Sequence, residues 1–125
     1  MNTIGYFEIQ STNPKREVDF YTTLFGWKFE KIPNMPIEYY HIITNTIQGG
    51  LLQRPSEIPP IHCGSNAFVC SIQVENIDKM MEQILALGGK VAMPKFAVPN
   101  KCWQAYFLDL DNNTIGLFQV DENAK

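Results

Sequence analysis

Two residues, Glu8 and His41, have side chains that could do acid–base or metal chemistry together. Both lie in stretches typical of β-strands, GYFEI and EYYHII. Because His41 lies on another strand of the same half, its imidazole could approach the Glu8 carboxylate and form a weak metal site or an acid–base pair. The sequence favours a simpler interpretation, in which Glu8 forms an ion pair with a nearby Lys or Arg and His41 hydrogen-bonds on an exposed sheet face.

No nucleophile stands out in the sequence. His62 precedes Cys63 in a Pro-rich stretch, where a surface position is expected, and no third group is identifiable that would orient this pair. Cys70 alternates with apolar residues and is predicted to be a small core residue. No phosphate-binding glycine motif is present, so we expect no nucleotide and no other cofactor.

The composition excludes several classes of function. The 125 residues carry a net charge of −3 and include no Lys/Arg cluster, which argues against binding of nucleic acid. The N-terminal stretch does not resemble a signal peptide, and no apolar run approaches the length of a membrane span. Three cysteines without C-x-x-C spacing predict neither a disulfide framework nor a zinc site. We therefore expect a reduced, cytoplasmic protein that does not bind membranes.

The chain repeats itself at an offset of 63 residues. The stretch IQSTN at residues 9–13 matches IQVEN at residues 72–76, and at the same offset Leu24 matches Leu87 and Gly26 matches Gly89. In each block a short strand leads to an Asn that can cap a helix of roughly 11 residues, which ends at glycine. The predicted buried faces are listed here: Val18, Phe20, Tyr21, Leu24 and Phe25 in the first helix, and Ile77, Met80, Met81, Ile84, Leu85 and Leu87 in the second.

Strand-like stretches follow each helix. They cover residues 27–30, 38–43 and 47–53 in the first half and residues 90–92, 103–108 and 114–120 in the second. Each half therefore reads β-α-β-β-β, and the fold class is α+β. Module 1 covers about residues 1–54, a Pro-rich linker about 55–65, and module 2 about 66–121. Because neither half alone covers its sheet, we expect a single domain in which a cupped mixed sheet surrounds a shared cleft.

Two βαβββ modules in a short chain resemble the vicinal oxygen chelate superfamily, which includes glyoxalase I, bleomycin resistance proteins and extradiol dioxygenases. The residues that carry the resemblance are YFEIQSTNPKREVDFYTTLFGWKFE in the first half and ALGGKV and FLDLDNNTIGLFQ in the second. The resemblance covers nearly the whole chain. It implies the fold, but the superfamily hosts lyases, isomerases, dioxygenases and drug-binding proteins, so it leaves the activity open.

The resemblance also implies four metal-ligand positions on strands. They fall at Tyr6, near Gly50 and Leu51, near Val69, and at Gly116, where metalloenzymes of the superfamily usually have Glu. None of these residues is an ordinary ligand for a hard or borderline cation, although Tyr6 could bind iron as a phenolate. We expect no metal at these positions. Gly116 has two interpretations: its missing side chain opens space for a ligand, or it permits a bulge or close packing.

Aromatic residues on the predicted strands favour an apolar pocket with a few polar groups. The working hypothesis is a ligand-binding surface that consists of Tyr6, Glu8, His41, Trp103, Gly116 and Phe118. The predicted function is metal-independent binding of a small, apolar or aromatic molecule. One alternative is a metal-dependent lyase or dioxygenase with a rearranged site around Glu8 and His41. Another is a homodimeric interaction module without a small ligand, and the resemblance implies a homodimer in any case.

Overall fold

The computed structural model describes residues 4–61 and 69–125. The chain divides into two compact units, unit 1 (Met1–Ile58) and unit 2 (Pro59–Lys125). Their boundary falls in the Pro-rich stretch that the sequence marks as a linker. His62 and Cys63, which the sequence places on the surface, lie outside the described residues.

Unit 1 is a four-stranded sheet with one helix. Its elements are β1 (Tyr6–Ser11), α1 (Pro14–Phe25), β2 (Lys28–Lys31), β3 (Tyr39–Ile43) and β4 (Gln48–Gln53). The strands are arranged in the order β1-β4-β3-β2, in which β1 and β4 are parallel and the other pairs are antiparallel.

Unit 2 repeats this arrangement. Its elements are β5 (Ser71–Gln73), α2 (Ile77–Ala86), β6 (Lys90–Val98), β7 (Cys102–Leu108) and β8 (Thr114–Val120). The strand order is β5-β8-β7-β6, again with one parallel pair, β5 and β8. The predicted pair of βαβββ modules and the α+β class are therefore confirmed.

The two helices begin and end as their sequences predict. The side chain of Asn13 accepts a hydrogen bond from the Arg16 amide at 3.2 Å, and Gly26 ends α1 in a left-handed conformation with φ 68°. In α2, Asn76 accepts from the Lys79 amide at 3.0 Å, and Gly88 follows the helix with φ 96°. Capping satisfies amide groups that would otherwise lack partners at the helix start.

The core of unit 1 lies between α1 and one face of the sheet. Ile9, Ile42 and Leu51 are buried on that face, and α1 packs over β1 and β4. Tyr21 of α1 is fully buried and stacks on Trp27, with ring centroids 5.4 Å apart. Offset-stacked aromatic rings add stabilisation beyond the area that they bury. Unit 1 is therefore closed on its helix side by an aromatic cluster.

Unit 2 has a more aliphatic core. From α2, only Ile77 and Ile84 are fully buried among the described residues, and the sheet contributes Phe107 and Leu117. The predicted inward position of Leu85 is wrong, because this side chain is 49% exposed. The predicted inward position of Leu87 is also wrong, since this residue is 36% exposed, whereas Met80 and Met81 are half-buried.

Two further predictions for unit 2 are wrong. Cys70, predicted to lie in the core, is exposed just before β5. The strand β6 continues to Val98, well beyond the predicted end at residue 92. It contains Pro94 and has register irregularities on both sides of Met93. Proline cannot donate to a sheet ladder, but an edge strand with bulges tolerates it, and β6 is such an edge.

Neither helix is long enough to cross a membrane. The helix α1 has 12 residues and α2 has 10, and within residues 4–61 and 69–125 no helix meets the length and hydropathy of a span.

Candidate functional site

The face of the unit 1 sheet opposite α1 carries the residues singled out in the first half of the sequence. Glu8 pairs with Gly50 of β4, and Gly50 pairs with His41 of β3, so the three residues form one row across three strands. Side chains two apart on a strand share a face, which adds Tyr6 and Tyr39 to this surface. The sequence predicted the same side for Tyr6 and Glu8, with Ile9 towards the helix.

Two tyrosine hydroxyls meet above Gly50. The hydroxyl oxygens of Tyr6 and Tyr39 are 2.6 Å apart, a short hydrogen bond. A Cβ atom on Gly50 would lie 2.9 Å from the Tyr6 hydroxyl and 2.6 Å from Cζ of Tyr39, both closer than real contacts. The hydroxyl pair therefore occupies the space that a side chain at position 50 would need.

His41 completes an aromatic surface around this pair. The imidazole of His41 stacks on the ring of Tyr6 with centroids 6.4 Å apart and planes inclined by 12°. Tyr6 is 43% exposed, and His41 and Tyr39 are half-buried. We define the phenol cluster as Tyr6, Glu8, Tyr39, His41 and Gly50. It combines flat apolar rings with polar atoms that solvent can reach.

The electrostatics of the phenol cluster keep Tyr39 protonated. Desolvation by its surroundings raises the pKa of Tyr39 well above the ordinary value, and the hydrogen bond with Tyr6 raises it further. The nearby charge of Glu8 acts in the same direction. Tyr39 therefore acts as a hydrogen-bond donor and acceptor and not as a phenolate.

Glu8 and His41 do not form the adjacent pair that the sequence left open. The strand β4 lies between them, so their backbones are two strand spacings apart, about 10 Å. The hydroxyls of Tyr6 and Tyr39 occupy the intervening position above Gly50.

Gly116 occupies the equivalent position in unit 2. It pairs with Ser71 of β5 and Tyr106 of β7, as Gly50 pairs with Glu8 and His41. A Cβ atom at Gly116 would collide with the hydroxyl of Ser71 and lie 3.0 Å from Nε2 of Gln104. Gln104 donates a hydrogen bond of 3.2 Å to that hydroxyl. The missing side chain at Gly116 thus accommodates a neutral polar pair, in agreement with the close-packing interpretation.

Trp103 does not lie on the same face as Gly116 and Phe118. The pairing of β7 and β8 is continuous, so alternation places Trp103 with Ala105 and Phe107, both fully buried, on the helix side. Its indole N–H donates to Oδ2 of Asp121 at 2.9 Å. The expectation that Trp103 lines the same surface as Gly116 is therefore wrong. Phe118, which is half-buried, does share the Gly116 face, as predicted.

The indole of Trp103 belongs to a small polar cluster at the edge of unit 2. The ammonium of Lys95 lies 4.8 Å above its ring and forms an ion pair of 2.9 Å with Asp78. The hydrogen bond from the Asn123 backbone amide lowers the pKa of Asp121 most, and the hydrogen bond from the Trp103 indole lowers it further. These contacts join β6, β7 and the start of α2, which is a structural role.

The residues at the four metal-ligand positions of the superfamily do not fit a metal. Leu51 is buried on the helix face, so the second position is Gly50, and Val69 offers no donor atom. Only Tyr6 among them has a side-chain oxygen, and that hydroxyl is hydrogen-bonded to the Tyr39 hydroxyl. Within the described residues, no three His, Cys, Asp or Glu side chains come together in a way that could hold an ion.

Three polar residues of these surfaces were not selected from the sequence. These residues are Tyr39, Ser71 and Gln104. The register of the strands places their side chains over Gly50 and Gly116. The pair of glycines at residues 49 and 50 was a usable signal, because consecutive glycines in a central strand indicate close approach of neighbouring groups on both faces.

A separate concavity of about 380 Å³ is lined by residues 31–38 between β2 and β3 and includes no residue of the phenol cluster.

The chain is similar to proteins of one family. The family model described as Glyoxalase/Bleomycin resistance protein/Dioxygenase superfamily matches residues 3–117. The putative glyoxylase CFP32 of Mycobacterium bovis is 24% identical over 97% of this chain and 47% of its own length. A glyoxylase-like domain-containing protein of Didymella fabae is 28% identical over 89% of this chain and 88% of its own length. The chain thus spans about half the length of the first of these relatives.

A solved structure shares the fold. The glyoxalase family protein APC24694 from Bacillus cereus has a TM-score of 0.78 at 15% identity, covering 96% of this chain and 95% of that one. The repeated βαβββ modules, the strand order and the family match over residues 3–117 agree. The chain belongs to the glyoxalase/bleomycin resistance protein/dioxygenase superfamily, the vicinal oxygen chelate proteins.

Proposed function

We propose that this protein binds a small aromatic molecule at the phenol cluster of unit 1 and that binding requires no metal. The observation that carries the proposal is the hydroxyl pair of Tyr6 and Tyr39 above Gly50, beside the stacked ring of His41. Flat apolar rings with a few fixed polar atoms are the usual composition of small-molecule sites.

Metal independence rests on the donor set of the chain. A fosfomycin resistance protein from Listeria monocytogenes, FosX, has the same fold at a TM-score of 0.71 and 17% identity, covering 94% of this chain and 89% of that one, and its structure contains Mn(II) with a phosphonic acid. In this chain two of the four superfamily ligand positions are glycines, each covered by a polar pair. We therefore propose ligand recognition by side chains alone.

A screen of small aromatic compounds by saturation-transfer NMR tests this proposal. Hits on the wild-type protein are expected to weaken about tenfold or more in Tyr6→Ala, because the substitution removes the most exposed ring of the cluster. Phe96→Ala is the matched control, since it removes another exposed aromatic ring, on β6 of unit 2, and should leave the hits unchanged.

The proposal fails if the hits bind Tyr6→Ala as tightly as the wild-type protein. It also fails if metal analysis of protein purified without chelator finds a transition metal close to one equivalent. The metal-dependent lyase or dioxygenase would then replace it, with Glu8 and His41 as the first residues to substitute.

The homodimer stays a prediction. The feature that bears on it is the edge strand β6, where Val91, Met93 and Phe96 are 45%, 48% and 37% exposed. Sedimentation of the wild-type protein and of Met93→Lys tests whether this strand takes part in association. A monomer at all concentrations contradicts the prediction.

A further inference from the structure

Three of the four strands of the unit 2 sheet contain no charged residue. The sequences of β5, β7 and β8 are SIQ, CWQAYFL and TIGLFQV. The charged residues of this sheet are Lys90 and Lys95 on the edge strand β6. The ammonium of Lys95 is held on the helix side, over the Trp103 ring. Lys90 pairs with Leu108, which lies about 13 Å along β7 from Gln104. The centre of the face opposite α2 is therefore neutral.

Five residues of these uncharged strands lie together on the face opposite α2. Gly116 pairs with Ser71 and Tyr106, and Phe118 pairs with Gln104 in the adjacent row. Paired residues, and residues two apart along a strand, share a face. We define the amide face as Ser71, Gln104, Tyr106, Gly116 and Phe118. Ser71 is exposed and the other three side chains are half-buried, so solvent reaches this face.

Next to Gly116 lie one carboxamide and one hydroxyl. Nε2 of Gln104 donates a hydrogen bond of 3.2 Å to Oγ of Ser71. Among the described residues, neither side chain has another hydrogen-bond partner. The carboxamide therefore keeps one N–H donor and its carbonyl acceptor, and Ser71 keeps its hydroxyl hydrogen. If the amide is turned by 180°, an N–H donor and an acceptor still stay available. In either orientation the pair can both donate to a ligand and accept from it.

Two aromatic rings border this polar pair. Phe118 is the direct cross-strand neighbour of Gln104, and Tyr106 is that of Gly116. The ring of Tyr106 stacks on Phe96 of β6, with centroids 6.4 Å apart and planes inclined by 23°. This contact supports the Tyr106 ring from the edge of the sheet. A flat ligand that lies against Phe118 or Tyr106 therefore brings its polar group to Gln104.

The size of the amide face suits a small ligand and not a second protein. The face spans three strands and two rows, roughly 10 Å by 7 Å between backbones. A stable protein interface buries about 800 Å² on each partner, which is many times this area. One or two aromatic rings are enough to cover the face.

We propose that the amide face is a second binding site, which takes neutral, planar carboxamides attached to an aromatic ring. The ligand N–H donates to the Gln104 carbonyl, and the ligand carbonyl accepts from Gln104 or Ser71. A carboxylate of the same shape has no hydrogen for the Gln104 carbonyl and meets no positive charge at the centre of the face. The cost of its desolvation is therefore compensated poorly. This site is independent of the phenol cluster, which belongs to unit 1.

Two probes of nearly the same shape, benzamide and benzoate, test the proposal. The ¹⁵N-labelled chain is titrated with each probe at about pH 7, where a carboxylic acid is ionised. The readout is the shift of the Gly116 backbone amide signal and of the side-chain amide signals of Gln104. Benzamide is expected to bind there roughly five- to tenfold more tightly than benzoate, the size typical of one hydrogen bond. Equal binding of the two probes, or no shift with either, overturns the proposal.

Two variants with a matched control test how the probes are recognised. Gln104→Met keeps the length of the side chain and removes both polar groups, so the affinity ratio of the two probes is expected to fall to near one. Gln83→Met, the same substitution at an exposed position of α2, is the control and should leave the ratio unchanged. Phe118→Leu removes a ring without changing the charge, so both probes should weaken together. An unchanged ratio in Gln104→Met, or unchanged affinities in Phe118→Leu, contradicts the proposal.

The same spectra separate this site from the phenol cluster and from self-association. Tyr6→Ala is expected to leave the benzamide-induced shift of Gly116 unchanged. Benzamide shifts at Gly50 and none at Gly116 would overturn the second site and leave the proposed function intact. Shifts of the Gly116 and Gln104 signals that follow protein concentration in the absence of a probe would identify the face as a contact between copies of the chain, which also overturns the proposal.

Discussion

The two units share a topology but cover the same position with different chemistry. Gly50 in unit 1 and Gly116 in unit 2 occupy equivalent places in their sheets, between the neighbours Glu8 and His41 in one and Ser71 and Tyr106 in the other. Above Gly50 lie two aromatic hydroxyls that are hydrogen-bonded to each other. Above Gly116 lies a neutral Ser–Gln hydrogen bond. The backbone is thus duplicated, while the polar groups that cover the two glycines differ.

The same contrast extends to the helix side of each sheet. Tyr21 and Ile84 are each the eighth residue of their helix, are separated by the repeat offset of 63 residues, and are fully buried. Around Tyr21 lie the rings of Phe20, Phe25 and Trp27. Ile84 has aliphatic neighbours in α2. Among the described residues, no comparable group of ring contacts surrounds it. Duplicated topology therefore permits two different kinds of core.

The largest expected difference concerns these two core residues. Tyr21→Ala should lower the free energy of unfolding by about 3–5 kcal/mol, because it leaves a large cavity and removes a stacked ring. Ile84→Ala removes fewer atoms, and its cost should lie in the lower half of about 2–5 kcal/mol. Denaturant unfolding of both variants measures the difference. Equal costs would mean that the aromatic cluster contributes no more than aliphatic packing does.

The next difference concerns the two glycines. Gly50→Ala should cost about 1–3 kcal/mol, because the new Cβ meets the tyrosine ring and hydroxyl pair. Gly116→Ala should cost less than about 1 kcal/mol, because Ser71 and Gln104 can turn away about single bonds. Denaturant midpoints and the amide signals of β4 and β8 check both. A more costly Gly116 substitution would contradict the packing described for unit 2.

The two helix caps should contribute equally to stability, which tests whether the two units are equivalent at their helix starts. Asn13→Ala and Asn76→Ala each remove one side-chain acceptor for a helix amide, so each should cost about 1 kcal/mol. Thermal and denaturant unfolding give the comparison. Asn13→Asp and Asn76→Asp keep an acceptor and are expected to stay close to the wild-type protein. Costs that differ severalfold between the two Ala variants would break the equivalence of the helix starts.

The smallest expected effect is a pH dependence in unit 1. Tyrosine in an unfolded chain ionises near pH 10, whereas Tyr39 in the folded chain keeps its proton to higher pH. The stability gained from this shift is complete below about pH 10 and is lost as the pH rises through the folded pKa. Between pH 9 and pH 11 the denaturant midpoint of the wild-type protein should therefore fall more than that of Tyr39→Phe. If the denaturant midpoints of both proteins fall in parallel with pH, Tyr39 is not the cause of the pH dependence.

Local signals predicted most of the fold, because short stretches carry them. The caps Asn13 and Asn76 and the left-handed Gly26 fix both helix termini within a few residues. The end of β6 was missed because Pro94 usually terminates a strand, and only the sheet topology reveals an edge where proline is tolerated. Leu85 was misplaced because the apolar stripe of α2 is wider than the surface that this helix covers.

The site was harder to predict than the fold, because it depends on register. Tyr6 and Glu8 were assigned to the correct face by alternation along one strand. Tyr39 was not selected, since its role depends on a neighbouring strand that lacks a side chain at Gly50. Trp103 was assigned to the wrong face, because a shift of one residue reverses every side chain on a strand and no local signal fixed the phase of β7.

The parallel pairing of the first and last strand in each unit has a consequence for folding. The strands β2, β3 and β4 are joined in sequence and can pair as local hairpins, whereas β1 must wait for β4, which is synthesised much later. During translation β1 emerges first and finds its partner last. Tyr6 and Glu8 lie on β1, and Tyr39, His41 and Gly50 lie on strands that assemble earlier. The phenol cluster therefore forms only when β1 pairs with β4, so it is absent from a nascent or partly unfolded chain in which this pair is open.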